Sequence, residues 1–153
     1  MISNFPKYIL FAICFTVSNI ANADCFEYAG KDSNIDPDLL RAIAKVESNL
    51  NPHAIGKNPV KGFGMGLMQI DSQHFNHLRK FDIYPEMLFN ECLNIYVGAY
   101  FLKISLNRMG HTWDGVGAYN AGFSKKIRQV KRRKDYARKV QLHYHVFKKK
   151  HNS

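Results

Sequence analysis

The first strong pattern of apolar and polar positions lies between residues 36 and 49. Ile43 and Val46 are three residues apart, with further apolar side chains one turn before them, which is the spacing of an amphipathic helix. Asp36 can cap such a helix, and Pro37 suits its first turn. The pattern predicts a helix that ends near residue 49 and turns one face toward the core.

Four further helices are predicted from patterns of the same kind. The longest runs from Glu91 to Met109, with Asn90 as its N-cap and Gly110 as its stop, and its wide apolar stripe is typical of a central helix. The others are a short helix that starts at Asp71 or Ser72 and ends near Lys80, a helix over 113–119 that Asn-Ala-Gly terminates, and a basic amphipathic helix over 131–148.

The stretch from Asn51 to Gly66 interrupts this helical pattern. Its sequence, NPHAIGKNPVKGFGMG, has prolines and glycines at a density that excludes a long helix. We therefore expect at most a small β-element between residues 52 and 68. The predicted fold class is mainly α, in a single domain large enough to bury one modest core.

Residues 1–23 are expected to form a cleavable signal peptide rather than part of the fold. Lys7 precedes an apolar run over residues 8–20 that is short for a membrane span, and Ala-Asn-Ala at 21–23 offers a cleavage site. Ser18 and Asn19 interrupt the run, so an uncleaved anchor is the weaker alternative. We expect a mature domain over 24–153 that is exported to the periplasm and has no stable membrane span.

Export changes how the cysteines are interpreted. Cys14 would leave with the signal peptide, and Cys25 and Cys92 would remain as a pair in an oxidising compartment. We expect these two residues to form a disulfide that ties the first mature residues to the middle of the chain. Two buried free thiols are the alternative.

Basic residues are concentrated at the end of the chain. Residues 24–123 contain 9 Lys and Arg against 11 Asp and Glu, whereas residues 124–153 contain 12 against 1. A basic helix over about 124–150 would attract an anionic partner, and export argues against nucleic acid. Cell-wall polymer, lipid headgroups and an acidic protein are the open alternatives, together with a merely solvated helix face.

Three short motifs occur in order along the predicted domain. They are ESNLNP at 47–52, GLMQI at 66–70 and AYNAG at 118–122. With DPDLLRAIAKVES at 36–48 and YARKV at 136–140, they make the chain resemble the lytic transglycosylases of the SLT type, which have a goose-type lysozyme-like fold. The resemblance covers nearly all of the mature chain and is greatest to the small single-domain enzymes of type III and type IV secretion and pilus systems. It implies peptidoglycan glycan strands as substrate and a component of such a system as a partner.

Glu47 is the candidate catalytic acid. Cleaving a glycosidic bond requires a proton donor for the leaving oxygen, and a carboxyl group keeps its proton near neutral pH when an apolar setting raises its pKa. Glu47 follows Ile43 and Val46 on the predicted helix and precedes a polar turn. Such a glutamate taken alone is more often a solvated helix end, but the three motifs together favour the catalytic interpretation.

No convincing second carboxylate accompanies Glu47 in the sequence. Asp71 can be proposed only from its position after GLMQI, and Gly64 stands where some secretion-associated relatives carry an aspartate. A single acid suits the mechanism that the resemblance implies, in which the bond between N-acetylmuramic acid and N-acetylglucosamine is cleaved with formation of a 1,6-anhydromuramoyl end. A hydrolytic muramidase and a non-catalytic basic scaffold that binds the wall are the alternatives.

The resemblance also implies a set of residues that hold the sugar. These are Ser48, Met68, Gln69, Tyr119, Asn120 and Tyr136, with Tyr119 and Asn120 as the pair that orients the acid and the acetamido group. Most have a structural alternative: a polar helix end for Ser48, core packing for Met68 and Tyr136, and turn formation for Tyr119 and Asn120. Gln69 is harder to explain in that way, because a buried amide needs hydrogen-bond partners that sugar groups would supply.

Metal and cofactor chemistry are not expected. His74 and His77, and likewise His143 and His145, form loose pairs without a matching set of carboxylates or cysteines. We expect a monomer that uses neither a metal nor a cofactor.

Overall fold

A computed structural model of the chain describes residues 24–58 and 62–151, and the predicted signal peptide lies outside these residues. The described part contains six α-helices, short 3-10 turns and one small sheet. The helices are α1 (Cys25–Ser33), α2 (Pro37–Ser48), α3 (Phe75–Leu78), α4 (Glu91–Met109), α5 (Trp113–Ala121) and α6 (Ile127–His151). The strands are β1 (Ile55–Asn58), β2 (Gly62–Met65) and β3 (Ile70–Asp71). The prediction of a mainly α chain with a small β-element is confirmed.

Helix α2 begins and ends where its local sequence predicts. The carboxylate of Asp36 accepts a hydrogen bond from the backbone N–H of Asp38 at 2.9 Å, and Pro37 occupies the first turn. Asn49 adopts a left-handed conformation with φ 56°, which stops the helix at Ser48. Helix α4 also has its predicted bounds and N-cap, because the side chain of Asn90 accepts from Leu93 N at 2.9 Å.

The other helices differ from the sequence patterns in length or were not predicted. Helix α1 is short and mostly polar, so it lacks a clear apolar period, and an Asp24 cap starts it. Helix α5 continues through Asn120 and Ala121, which were expected to break it, and ends at Gly122, where φ is 68°. Helix α6 begins four residues before the predicted start at residue 131 and ends three residues after the predicted end.

The three strands form an antiparallel sheet in the order β1-β2-β3. Ile55 pairs with Met65 across the first ladder, and Met65 pairs with Ile70 across the second. The expected limit of the β-element at residue 68 is therefore too early. A tight turn over residues 66–69 returns the chain beside β2, so residues 70–71 can pair with it.

The helices pack around one core that supports the sheet at one end. Helix α6 lies along α2 and α5, while α4 contacts α1 and α5. Leu40, Ile43 and Leu102 have no exposed surface in this core. The cysteine pair Cys25–Cys92 forms a disulfide that joins α1 to α4, with its Cα atoms 5.2 Å apart. No helix in the described ranges is both long and apolar enough to cross a membrane.

Candidate active site

Glu47 lies in the last turn of α2 and faces a small pocket of about 90 Å³. The walls of this pocket come from α2, α4, α5, and from the end of the sheet with the turn that follows it. The lining residues are Glu47, Gln69, Ile70, Asp71, His74, Phe101, Tyr119 and Asn120. The three motifs at 47–52, 66–70 and 118–122, which are far apart in sequence, therefore meet around one carboxyl group.

Two side chains hold the Glu47 carboxyl group. The hydroxyl of Tyr136, which projects from the buried face of α6, donates to Glu47 Oε1 at 2.6 Å, and Asn120 makes a second hydrogen bond. Burial raises the pKa of Glu47 above its ordinary value, and the hydrogen bonds from Tyr136 and Asn120 lower it without offsetting the burial. The result is an oriented carboxyl group that holds its proton to a higher pH than an exposed glutamate.

Tyr119 occupies the same pocket and makes a different contact from the one that the resemblance implied. Its hydroxyl donates to the backbone carbonyl of Met68 at 2.7 Å, so it positions the 66–70 turn rather than the acid. Burial and the nearby Glu47 charge raise the pKa of both Tyr119 and Tyr136 well above the ordinary value. Both phenols are therefore neutral hydrogen-bond donors at physiological pH.

Gln69 lines the pocket in a left-handed backbone conformation with φ 50°. Its side-chain amide donates to the carbonyls of Ala54 at 3.1 Å and Gly66 at 2.8 Å, so its donors bind the protein rather than a sugar. A Cβ atom at Gly56 or Gly64 would collide with Gln69 Oε1. The two glycines in β1 and β2 thus leave room for this glutamine beside the sheet.

Met68 and Ser48 support the pocket from behind. Met68 is fully buried, and its side chain lies against Gly98 of α4, where a Cβ atom would clash with it. Ser48 Oγ donates toward the carbonyl of Leu67 at 2.8 Å and that of Ala44 at 3.1 Å. The contacts of Ser48 connect the end of α2 to the 66–70 turn, and the burial of Met68 agrees with its core-packing alternative.

Asn94 is a supporting residue that the sequence analysis missed. It is 1% exposed on α4, where its Nδ2 donates to the carbonyls of Met65 at 2.9 Å and Leu88 at 2.8 Å, and its Oδ1 accepts from Met68 N at 2.7 Å. One amide therefore fixes both ends of the turn that carries Gln69. An asparagine inside the apolar stripe of a long helix was the only available signal.

Asp71 and His74 also face the pocket, although the sequence suggested Asp71 only by its position and gave no sign of a role for His74 there. Asp71 caps the following 3-10 turn (Ser72–His74) by accepting from Gln73 N at 2.8 Å. His74 stacks on Phe101 with ring centroids 4.1 Å apart, and burial lowers its pKa. In the described ranges, no group of three or more His, Cys, Asp or Glu side chains is arranged to hold a metal ion.

Comparison with known proteins agrees with this arrangement. The family model described as the transglycosylase SLT domain matches residues 24–142. An "X polypeptide" of Escherichia coli is 54% identical over 137 residues, covering 88% of this chain and 81% of the relative. The invasion protein IagB of Salmonella typhimurium strain SL1344 is 39% identical over 142 residues, covering 92% and 88%.

Solved structures share the fold at lower sequence identity. An inactive mutant of the lytic transglycosylase Slt from Pseudomonas aeruginosa superposes with a TM-score of 0.69 at 22% identity. A 70-kDa soluble lytic transglycosylase in complex with bulgecin A also gives 0.69, at 23% identity. Each match covers 88% of this chain but only 25% of the larger protein, so this chain corresponds to about one quarter of either. The chain belongs to the SLT transglycosylase family and is a small peptidoglycan lytic transglycosylase.

Proposed function

We propose that Glu47 is the single acid and base of a reaction that leaves 1,6-anhydromuramoyl ends on peptidoglycan. The observation that carries this proposal is the contact between Tyr136 and Glu47 within a pocket that raises the pKa of the carboxyl group. A protonated and oriented carboxyl group is what the first chemical step requires. The pocket is too small for a whole sugar ring, so the glycan strand would lie across its opening.

In the first step, Glu47 donates its proton to the oxygen that links N-acetylmuramic acid to N-acetylglucosamine. The bond from C1 to that oxygen breaks, and N-acetylglucosamine leaves with a free 4-hydroxyl group. The acetamido carbonyl oxygen of the muramic acid bonds to C1 and carries the positive charge. Glu47 is left as a carboxylate, and the hydrogen bonds from Tyr136 and Asn120 stabilise that form.

In the second step, the Glu47 carboxylate takes the proton from the C6 hydroxyl of the same sugar. The C6 oxygen bonds to C1 as the bond to the acetamido oxygen breaks, which closes the anhydro ring. Glu47 regains its proton, and no water is consumed. One group serves as acid and then as base, as microscopic reversibility allows.

Hydrolysis is the second candidate reaction, and the position of Asp71 is the observation that favours it. Asp71 lines the same pocket as Glu47, so the carboxylate that the sequence suggested only by its position is available as a second acidic group. However, the Asp71 carboxylate is engaged by Gln73, whose backbone N–H donates at 2.8 Å and whose side chain donates at 3.3 Å. Both carboxylate oxygens therefore already accept a hydrogen bond from Gln73, which leaves this group less available to orient a water molecule and favours the transglycosylase reaction.

We further propose that the enzyme acts in the periplasm and opens the wall locally for a secretion or pilus apparatus. The small size of the domain supports this role, and so does its similarity to a protein described as an invasion protein.

A Glu47→Gln variant tests the catalytic assignment. We expect it to release soluble fragments from purified sacculi about 10²- to 10⁴-fold more slowly than the parent, because the proton donor is lost, while it binds sacculi as the parent does. Glu86→Gln, at an exposed glutamate away from the pocket, is the matched control and should cleave normally. Equal cleavage by Glu47→Gln and the parent would contradict the assignment. A parent that binds sacculi without cleaving them would support the scaffold alternative.

A further inference from the structure

The outer face of α6 is a continuous solvent-exposed surface that the catalytic proposal does not use. We define it by seven residues of the second half of the helix. They are Arg138, Lys139, Leu142, His145, Val146, Lys149 and Lys150. At 100° per residue these positions fall within an arc of about 140°, so they form one face.

Two aliphatic side chains lie at the centre of this face. Leu142 is 65% exposed and Val146 is 63% exposed, one helical turn apart. The buried residue Val140, which has no exposed surface, lies on the other side of the helix. Neither Leu142 nor Val146 contributes to the core, so the fold itself does not require an apolar residue at either position.

Cations surround the aliphatic pair. Arg138 and Lys139 lie one turn before Leu142, and Lys149 and Lys150 lie about one turn after Val146. The acid beside this face is Asp135, whose carboxylate pairs with Lys131 at 2.6 Å and with Arg138 at 3.8 Å, and residues 136–153 contain no Asp or Glu. Asp36, at the start of α2, pairs at 3.0 Å with Lys148 of α6, which is not one of the seven residues of the outer face. The outer face therefore keeps a strongly positive field.

We propose that the outer face of α6 binds the surface of an anionic phospholipid bilayer. Cations near such a surface gain favourable electrostatic energy, and an exposed aliphatic pair gains further by entering the boundary between headgroups and acyl chains. An anionic polymer would use the cations but would leave Leu142 and Val146 in water. An acidic protein would need a shaped surface, whereas a convex helix face suits a flat one.

This orientation leaves the candidate active site accessible. Tyr136, which contacts Glu47, projects from the buried face of α6, and the pocket lies on that side of the helix. The helix would lie along the bilayer through seven residues, none of which lines the pocket. The proposal concerns where the enzyme works and does not depend on whether its reaction is a transglycosylation or a hydrolysis.

Co-sedimentation with lipid vesicles tests the proposal. The protein is purified after export and mixed with vesicles of 30% phosphatidylglycerol in phosphatidylcholine, or with phosphatidylcholine alone. We expect binding to the anionic vesicles only, and binding that weakens as salt is added. Variants and parent share the same N-terminus, so a difference in vesicle binding between them can be assigned to the outer face of α6.

Two double variants separate the contributions to binding. Lys139→Gln with Lys150→Gln should weaken binding about 10- to 30-fold, because each cation near an anionic surface contributes about fivefold. Leu142→Ser with Val146→Ser should weaken it about tenfold or more through lost apolar burial. The matched controls are Lys80→Gln with Lys103→Gln, and Ile55→Ser with Ile104→Ser, which change exposed side chains elsewhere. All variants should keep the circular dichroism spectrum of the parent.

Three results would overturn the proposal. The first is a parent protein that does not bind the anionic vesicles. The second is a loss of binding in the control variants as large as in the α6 variants. The third is binding by Leu142→Ser with Val146→Ser that equals binding by the parent. In the last case, equal competition by soluble polyglutamate would identify the face as a general polyanion surface.

Discussion

At the scale of single residues, the proposed chemistry depends on how the protein controls the proton of Glu47. Burial raises its pKa, and the hydroxyl of Tyr136 at 2.6 Å lowers it while fixing the direction of the carboxyl group. The two influences serve different steps, since the first step needs the acid and the second needs the carboxylate. Tyr136 acts through Glu47 and is therefore a positioning residue.

Replacing Tyr136 with Phe should move the pH profile in a defined direction. The free enzyme must have Glu47 protonated, so activity falls as the pH rises through the pKa of Glu47. Removing the hydroxyl removes an influence that lowers this pKa, so the pKa rises and the alkaline limb moves to higher pH. We also expect the maximum rate to fall about tenfold because the carboxyl group is less well oriented. Rates of sacculus digestion measured from pH 4 to pH 9 would show both effects.

Tyr119→Phe is the matched control for this experiment. Its hydroxyl donates to the carbonyl of Met68 rather than to Glu47, so its removal should leave the alkaline limb in place even where it lowers the rate. A limb that stays fixed in Tyr136→Phe, or that moves to lower pH, would contradict the role assigned to Tyr136.

At the scale of elements, the site depends on how the 66–70 turn is held between helices. Ser48 of α2, Asn94 of α4 and Tyr119 of α5 each hydrogen bond to the backbone of this turn. The residues of this turn that line the pocket are therefore positioned by three helices at once. Asn94 makes more of the hydrogen bonds that hold this region than Ser48 or Tyr119, because it bonds to three buried backbone groups.

Asn94→Ala should lower the free energy of unfolding by about 3–5 kcal/mol. It leaves one buried N–H and two buried carbonyls without a partner, at about 1–3 kcal/mol each. Asn107→Ala, on the exposed side of the same helix, should change stability by less than about 0.5 kcal/mol. Urea unfolding curves of both variants would test this. A loss below about 1 kcal/mol for Asn94→Ala would show that the turn is held by other contacts.

The sequence predicted best those elements whose ends are set by local chemistry. The caps at Asp36 and Asn90 placed the start of α2 and α4 correctly, because an N-cap depends on neighbouring backbone groups. The sequence did not predict the hydrogen bond between Tyr136 and Glu47, since that contact joins residues 89 positions apart. Asp71 was weighed only by its position, because the antiparallel return of β3 that turns it toward Glu47 is a tertiary feature.

At the scale of the whole molecule, the N-terminal helix is fastened to the core at two places. The disulfide Cys25–Cys92 joins α1 to α4. Arg41, buried on α2, pairs with Asp24 at 2.5 Å and with Glu27 at 2.7 Å. Helix α2, which carries Glu47, is thereby packed between α1 and α6.

Replacing both Cys25 and Cys92 with Ser should lower the free energy of unfolding by about 4 kcal/mol. The cysteines are 67 residues apart, and closing a loop of this length restricts the unfolded chain by about that amount in the chain-entropy model. Chemical denaturation with and without a thiol reductant would test it, because reductant should weaken the parent and leave the variant unchanged. Equal stability of parent and variant would show that the bridge contributes little.

The proposal that Glu47 alone drives a reaction without water is tested most directly by the source of oxygen in the product. Purified sacculi are digested in water enriched in oxygen-18, and the released fragments are analysed by mass spectrometry. We predict 1,6-anhydromuramoyl ends that carry no oxygen-18, because the C6 oxygen of the same sugar closes the ring. Reducing muramic acid ends that carry one oxygen-18 atom, without anhydro ends, would contradict this mechanism and assign hydrolysis to the Glu47 and Asp71 pocket.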